Sequence, residues 1–153
     1  MIRTDSVTRF IHEEAELLDR GAFDVWLDLF TEDGRYWVPS HPDQTDATSE
    51  ISLYHEDRAL MEARIGRLRH PRALGRPLRT SHLIGNIRIA EVPEYVVVRS
   101  RFQMIEFIDD EQRLHGGAVE HHLVPHAESW KIRLKRVDLV NAGGVFDLLQ
   151  GFY

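Results

Sequence analysis

The alternation between Thr80 and Ala142 limits what this chain can become more than any other feature. From Glu94 to Asp109, Val96, Val98, Phe102, Met104 and Ile108 fall on one parity, and Tyr95, Arg99, Arg101 and Gln103 fall on the other. Successive side chains of a strand point to opposite faces, so this pattern predicts a strand with one face in a core and one facing outward. At ~3.3 Å per residue such a strand reaches roughly 50 Å. A sheet that long coils strongly and needs material in its concave face. The flanking segments agree. Leu83, Ile87 and Ile89 share a parity, with Asn86 and Arg88 opposite. Trp130, Ile132 and Leu134 share another, after which Val137 and Leu139 take the opposite one, predicting a β-bulge at Lys135–Arg136. Gly116–Gly117 interrupts a further strand and marks a bulge or a close backbone approach. Turns are expected at Val92-Pro93-Glu94, Asp109-Asp110-Glu111 and Pro125-His126-Ala127.

The filling for that concavity lies upstream. Val7, Phe10, Ile11, Ala15 and Leu18, with Leu17 beside them, form a helical stripe that Asp5 or Ser6 caps and Gly21 stops. A short second helix over Ala22–Phe30 puts Phe23, Trp26, Leu27 and Phe30 on one side, enough bulk to plug the opening of a curved sheet. The Asp33-Gly34 turn signal precedes a short strand, Arg35 to Val38, ended by Pro39. His41–Glu50 reads as a surface loop and Ile51–Tyr54 as another short strand. Leu60, Met61, Ile65 and Leu68 mark a third helix between Glu56 and His70, and Pro71, Gly75 and Pro77 punctuate the loop after it. The tail from Gly143 to Tyr153 carries Val145, Phe146, Leu148, Leu149, Phe152 and Tyr153, so it is expected to dock on its own chain or on a neighbouring subunit. Helices followed by a long antiparallel sheet define an α+β chain, a single domain over 1–153 with helices over about 5–70 and sheet over about 80–142.

Composition narrows the functions. With 153 residues and 42% apolar content a normal core is available. The chain has no cysteine, which excludes disulfides, thiolate metal sites and cysteine nucleophiles and suits a cytoplasmic protein. No apolar run approaches the ~20 residues of a membrane span. The net charge of −6 argues against nucleic acid as partner.

Several side chains are candidates for chemistry. His55-Glu56-Asp57 has the His-x-Asp spacing of some non-haem iron sites, but Glu56 and Asp57 are better read as first-turn acids of the third helix. His115, His121, His122 and His126 enrich one strand. Adjacent strand residues face apart and His115 lies roughly 20 Å from His121 along an ideal strand, so one ion cannot join them. They are read as surface or subunit-contact residues. Asp33 and His82, with Tyr54, Tyr36 and Asn86, could form an acid–base set of the kind a dehydratase or isomerase requires. The density of Arg58, Arg64, Arg67 and Arg69 on the third helix is read as a contact with a partner chain, together with Phe152 and Tyr153 of the tail.

The order of these elements is similar to the cone-shaped α+β fold of nuclear transport factor two and its cystatin-like relatives. Within it, the chain resembles the small (beta) subunit of bacterial aromatic-ring-hydroxylating dioxygenases. The resemblance is carried by Glu14-Ala-Glu-Leu-Leu-Asp19, Trp26-Leu-Asp-Leu-Phe-Thr-Glu-Asp33, Tyr36-Trp-Val-Pro39, Ser52-Leu-Tyr-His-Glu-Asp-Arg58, Arg64-Ile-Gly-Arg-Leu68, Arg79-Thr-Ser-His82, Gly85-Asn-Ile87 and Trp130-Lys-Ile-Arg-Leu-Lys-Arg136. These blocks span most of the chain in order. The resemblance implies a structural, non-catalytic assembly subunit with no cofactor or metal of its own. It also implies a partner large (alpha) subunit that holds a Rieske [2Fe-2S] cluster and a mononuclear iron, and a trimer of heterodimers (α3β3). A Rieske centre needs two thiolates and two imidazoles, and a chain without cysteine cannot supply the first.

Overall fold

The structure is a computed structural model that describes residues 4–69, 77–144 and 151–153. Residues 71–76 of the expected loop, and Val145, Phe146, Leu148 and Leu149 of the tail, lie outside the described residues. The elements are helix α1 (Thr4–Asp19), helix α2 (Phe23–Leu27), strand β1 (Phe30–Val38), strand β2 (Tyr54–Glu56) and helix α3 (Arg58–Arg69). The long strands β3 (Arg79–Val92), β4 (Tyr95–Ile108), β5 (Glu111–His126) and β6 (Ser129–Leu139) follow. One six-stranded sheet runs in the order β2-β1-β6-β5-β4-β3, antiparallel except where β1 joins β6. The expected α+β architecture holds, with the helices against one face of a curved sheet.

β4 keeps the predicted alternation from Val98 onward, while Val97 on the other parity is also buried. Its inner parity buries Val96, Val98, Phe102, Met104 and Ile108, and the same parity also brings Ser100 and Glu106 inside. Two predicted details move. On β3 the register shifts between Gly85 and Arg88, so that Asn86 and Ile87 face Ser100 together. Asn86 takes φ +54°, a left-handed conformation that asparagine tolerates better than most residues. The bulge flips the parity: Ile84, Ile87 and Ile89 pack on the core, whereas Leu83 is 71% exposed. On β6 the bulge comes at Arg133, between the pairs His122–Leu134 and Leu123–Ile132, rather than at Lys135–Arg136. That shift carries Lys135, Val137 and Leu139 inward.

The first half departs from expectation in a similar way. α2 is shorter than predicted, and Phe30 opens β1 instead of closing the helix. Asp33-Gly34 is not a hairpin turn but an irregularity within β1, where pairing with β6 shifts between Phe30 and Arg35. β2 forms at Tyr54–Glu56, just after the predicted Ile51–Tyr54. Asp57 then caps α3, its Oδ1 accepting the Leu60 N–H at 2.9 Å. The β4–β5 turn places Asp109 and Asp110 at φ +53° and +62°, the left-handed pair that a tight two-residue hairpin demands.

Gly117 explains the interrupted strand. No register shift accompanies it on β4, but a Cβ there would stand 2.0 Å from the Asp138 carbonyl oxygen of β6. It marks a close approach, not a bulge. Gly85 offers a control, since nothing lies within 4 Å of its would-be Cβ. Gly117→Ala is therefore expected to destabilise the chain by about 1–3 kcal/mol, and Gly85→Ala to stay within about 0.5 kcal/mol, in urea unfolding. Equal effects at the two positions would refute this account.

Candidate functional site

In a cone of this kind the interior is where chemistry would sit, and here it is packed. Trp26 lies fully buried at its centre, 5.0 Å from the Phe30 ring and 6.0 Å from the Tyr36 ring between centroids. Its indole N–H donates to Glu14 Oε2 at 2.7 Å. The same oxygen accepts from Lys135 Nζ at 2.6 Å, and Glu14 Oε1 lies 2.8 Å from His121 Nε2. A carboxylate only accepts, so His121 donates from Nε2 and its buried Nδ1 is left without a partner among the described residues. Glu14, Trp26, His121 and Lys135 thus join α1, α2, β5 and β6. Burial by itself would push the Glu14 carboxyl up. The charge of Lys135, and then the hydrogen bond and charge of His121, outweigh that and hold it well below the usual carboxylate range. Burial pushes His121 down, against the pull of Glu14.

A second junction surrounds Arg64, which is 3% exposed. It pairs with Glu56, donates from Nη1 to the Gly151 carbonyl at 2.6 Å, and lies against the rings of Phe152 (3.7 Å), Tyr54 (4.0 Å) and Tyr36 (5.2 Å). The Tyr36 hydroxyl accepts the Tyr153 N–H at 3.0 Å. Burial pushes the Tyr36 and Tyr153 phenols above their ordinary range.

A third group stands where α1 meets the sheet. Asp19 takes three hydrogen bonds from β3: from the His82 backbone N–H (2.8 Å), His82 Nδ1 (2.6 Å) and the Thr80 hydroxyl (2.9 Å). Burial raises the Asp19 carboxyl, but these bonds outweigh it and lower it overall.

The residues singled out from sequence fall apart spatially. His82 meets Asp19, not Asp33. Asp33 is exposed and accepts the Thr31 hydroxyl at 2.7 Å, a bond that lowers its carboxyl. Tyr54 lies over Arg64. The expected set of Asp33, His82 and Tyr54 is therefore not assembled. The expectation that Arg64, Phe152 and Tyr153 face a partner is corrected, because all three are buried in their own chain. Arg58 reaches the carbonyls of Leu27 (3.0 Å) and Phe30 (2.7 Å) where α2 gives way to β1. Arg69 pairs with Asp24 at 2.6 Å on the surface, and Arg67 is exposed. Of the histidine-rich strand, His121 belongs to the core and His115 faces Tyr153, so neither is a surface residue. His122 bonds Glu120 at 2.7 Å and stacks on Tyr95. Asp57 caps its helix and His55 stands exposed beside Trp37. Among the described residues no group of three or more histidines and carboxylates is placed to hold a metal ion. With no thiolate in the chain, its residues do not fit a Rieske cluster either.

Helices plugging one face of a curved sheet, with the interior occupied by the chain's own residues, define a filled cone of the nuclear transport factor two-like class. A cystatin-like protein of that class from Novosphingobium aromaticivorans superposes with a TM-score of 0.64 at 16% identity, covering 90% of this chain and 81% of that one, which shows the fold. Residues 13–143 match the ring hydroxylating beta subunit family, and the chain belongs to that family. It is similar to the anthranilate 1,2-dioxygenase small subunit of Acinetobacter baylyi, 30% identical over 146 residues that cover 89% of this chain and 88% of the relative. The beta subunit of the benzoate 1,2-dioxygenase of Burkholderia mallei has 25% identity and a TM-score of 0.79, with 98% of both chains covered. Among the described residues no helix is long and apolar enough to cross a membrane.

The Glu14 junction yields two tests. Removing one partner leaves a buried charge alone. Glu14→Gln or Lys135→Met is thus expected to cost about 3–5 kcal/mol, while the double variant costs clearly less than their sum. An additive cycle in urea unfolding would show that the two do not interact. Acid should also weaken the fold in two stages. The native His121 resists protonation, so the unfolded chain takes the proton first and stability falls as pH drops below about 6.5. The Glu14 contribution is present above its ordinary value of 4.5 and is lost as pH falls from there toward the lowered native value. His121→Gln should flatten the first stage in unfolding midpoints measured against pH.

Proposed function

We propose that this chain is the non-catalytic assembly subunit of a multicomponent Rieske non-haem iron oxygenase that opens the breakdown of aromatic compounds. The observation that carries this reading is the filled cone: Trp26, Phe30, Tyr36, Phe152 and Tyr153 occupy the space in which an enzyme of this shape would hold a substrate. The redox groups, a Rieske [2Fe-2S] cluster and a mononuclear iron, belong on this reading to a large (alpha) subunit. The family membership and the lack of thiolates in this chain support that division.

The outward face of the sheet is the surface through which we place its contacts. Leu83, Ile105, Phe107, Leu114 and Val140 are exposed there around a concavity of about 660 Å³ that Gly85 and Gly116 help to line. Leu83 and Leu114 are 71% and 70% exposed, and apolar side chains grouped this way on an exposed sheet mark an interaction surface. Arg88 and Arg99 stand opposite each other on neighbouring strands beside it, with Arg101 following. Arg99 bonds Glu120 at 3.0 Å, and the like charges beside it favour a partner that brings further carboxylates. We assign this face to contacts among copies of the chain and with the large subunit in a cytoplasmic α3β3 complex. Arg67 at the exposed side of α3 is a second contact candidate.

Co-expression with the large subunit from the same cell tests the assignment. Wild-type chain is expected to co-purify in a complex coloured by iron and sulfur. Leu83→Asp combined with Leu114→Asp should abolish the complex while leaving the circular dichroism of the lone chain unchanged. A complex that survives the double change would remove the outward face from the assembly. Asp33→Asn, by contrast, is expected to leave turnover of the reconstituted complex within about twofold, as surface substitutions usually do.

A further inference from the structure

Gly151, Phe152 and Tyr153 are held in the cone without sheet pairing. The Phe152 ring lies 4.3 Å from Trp26 and 5.4 Å from Tyr36 between centroids, with the Arg64 guanidinium 3.7 Å above it. The Tyr153 ring lies 5.2 Å from His115 and 6.1 Å from Phe102. Two hydrogen bonds fix the backbone: Arg64 to the Gly151 carbonyl, and Tyr153 N–H to the Tyr36 hydroxyl. This is how a pocket holds a ligand, with aromatic walls and a few placed polar groups.

The lining also has more polar capacity than its occupant uses. Among the described residues Arg64 Nε and His82 Nε2 are buried without a hydrogen-bond partner, the His82 ring lying 6.3 Å from Phe102, and His115 Nε2 has only the Glu106 carboxylate, off-line at 3.4 Å. Buried polar groups left unpaired weaken a fold, and a core shaped only to bury two aromatic rings has no use for two of them in one region and a third poorly paired.

We propose that the cone is a binding site for a neutral aromatic molecule carrying a hydroxyl or amide, and that Gly151–Tyr153 occupy it in cis. The ligand is neutral because carboxylates already stand beside both cationic candidates: Glu56 pairs with Arg64, and Glu106 Oε1 lies 3.4 Å from His115 Nε2. An anion would meet both. Tethering gives the segment an effective concentration in the millimolar range, so a free ligand enters only when the segment is removed or loosened.

The test is a chain lacking residues 151–153, with p-cresol as probe and thermal unfolding as readout. The shortened chain should unfold at a lower temperature than the full chain. p-Cresol should raise its midpoint saturably, by about 3 °C or more, and shift the full chain by less than about 1 °C. Toluene, which lacks the hydroxyl, should bind at least about tenfold more weakly, and benzoate should not bind. Should the deletion prevent cooperative unfolding, Phe152→Ala in the full chain takes its place with the same expected ranking. The proposal is overturned if p-cresol gives no saturable shift in a folded variant, if it shifts the full chain equally, or if toluene or benzoate matches it. Failure of both variants to fold would also overturn it, since the segment would then be inseparable core.

Discussion

One buried carboxylate decides how this molecule closes. Glu14 gathers an ammonium, an imidazole N–H and an indole N–H around two oxygens, and its donors come from α2, β5 and β6. Taking Glu14 and Lys135 out of water costs several kcal/mol per ion, which only good geometry and full hydrogen bonding can offset. That requirement fixes the distance and rotation of α1 against the sheet far more narrowly than apolar packing does. With α1 set, Asp19 at its end reaches β3, and Trp26 of α2 comes over the middle of the cone. Arg64 plays the matching part at the other side, joining α3 to β2 through Glu56 and to the end of the chain through Gly151.

The same two junctions separate inside from outside. The buried ionisable groups Glu14, His121, Lys135, Glu56 and Arg64 bind one another inside the cone. The outward face keeps exposed apolar residues and, beside the Arg99–Glu120 pair, the exposed Arg88 and Arg101. A subunit whose work is to hold others in register needs that asymmetry: a stiff interior and an incomplete exterior.

Much of this was legible in the sequence because strand parity is a strong signal. β4 could be read residue by residue, and the order of elements followed from the stripe on α1 and the alternation after Thr80. What blurred was set by pairing rather than by pattern. A bulge flips parity, and its position depends on the neighbouring strand, so Leu83 was read as core and the β6 irregularity was placed slightly late. The Glu14 junction left a trace that periodicity alone could find. Glu14 falls on the apolar stripe between Phe10, Ile11 and Leu18, and Lys135 shares the inner parity of Val137 and Leu139. An acid and a base on two apolar faces predict each other only once the faces are known to meet. The arginines of α3 misled for a related reason, because composition cannot tell a guanidinium facing a partner from one stacked inside its own aromatic cage.

The outermost strand carries a further implication. β3 runs for 14 residues at the rim of the sheet with no strand beyond it among the described residues, a form that invites amyloid-like stacking of one molecule on the next. Asp19 blocks that template near its start by taking the His82 N–H that an incoming strand would need, and the Asn86 bulge bends the rest of the rim out of line. A carboxylate that looks like half of a catalytic couple thereby serves as a guard against fibre growth.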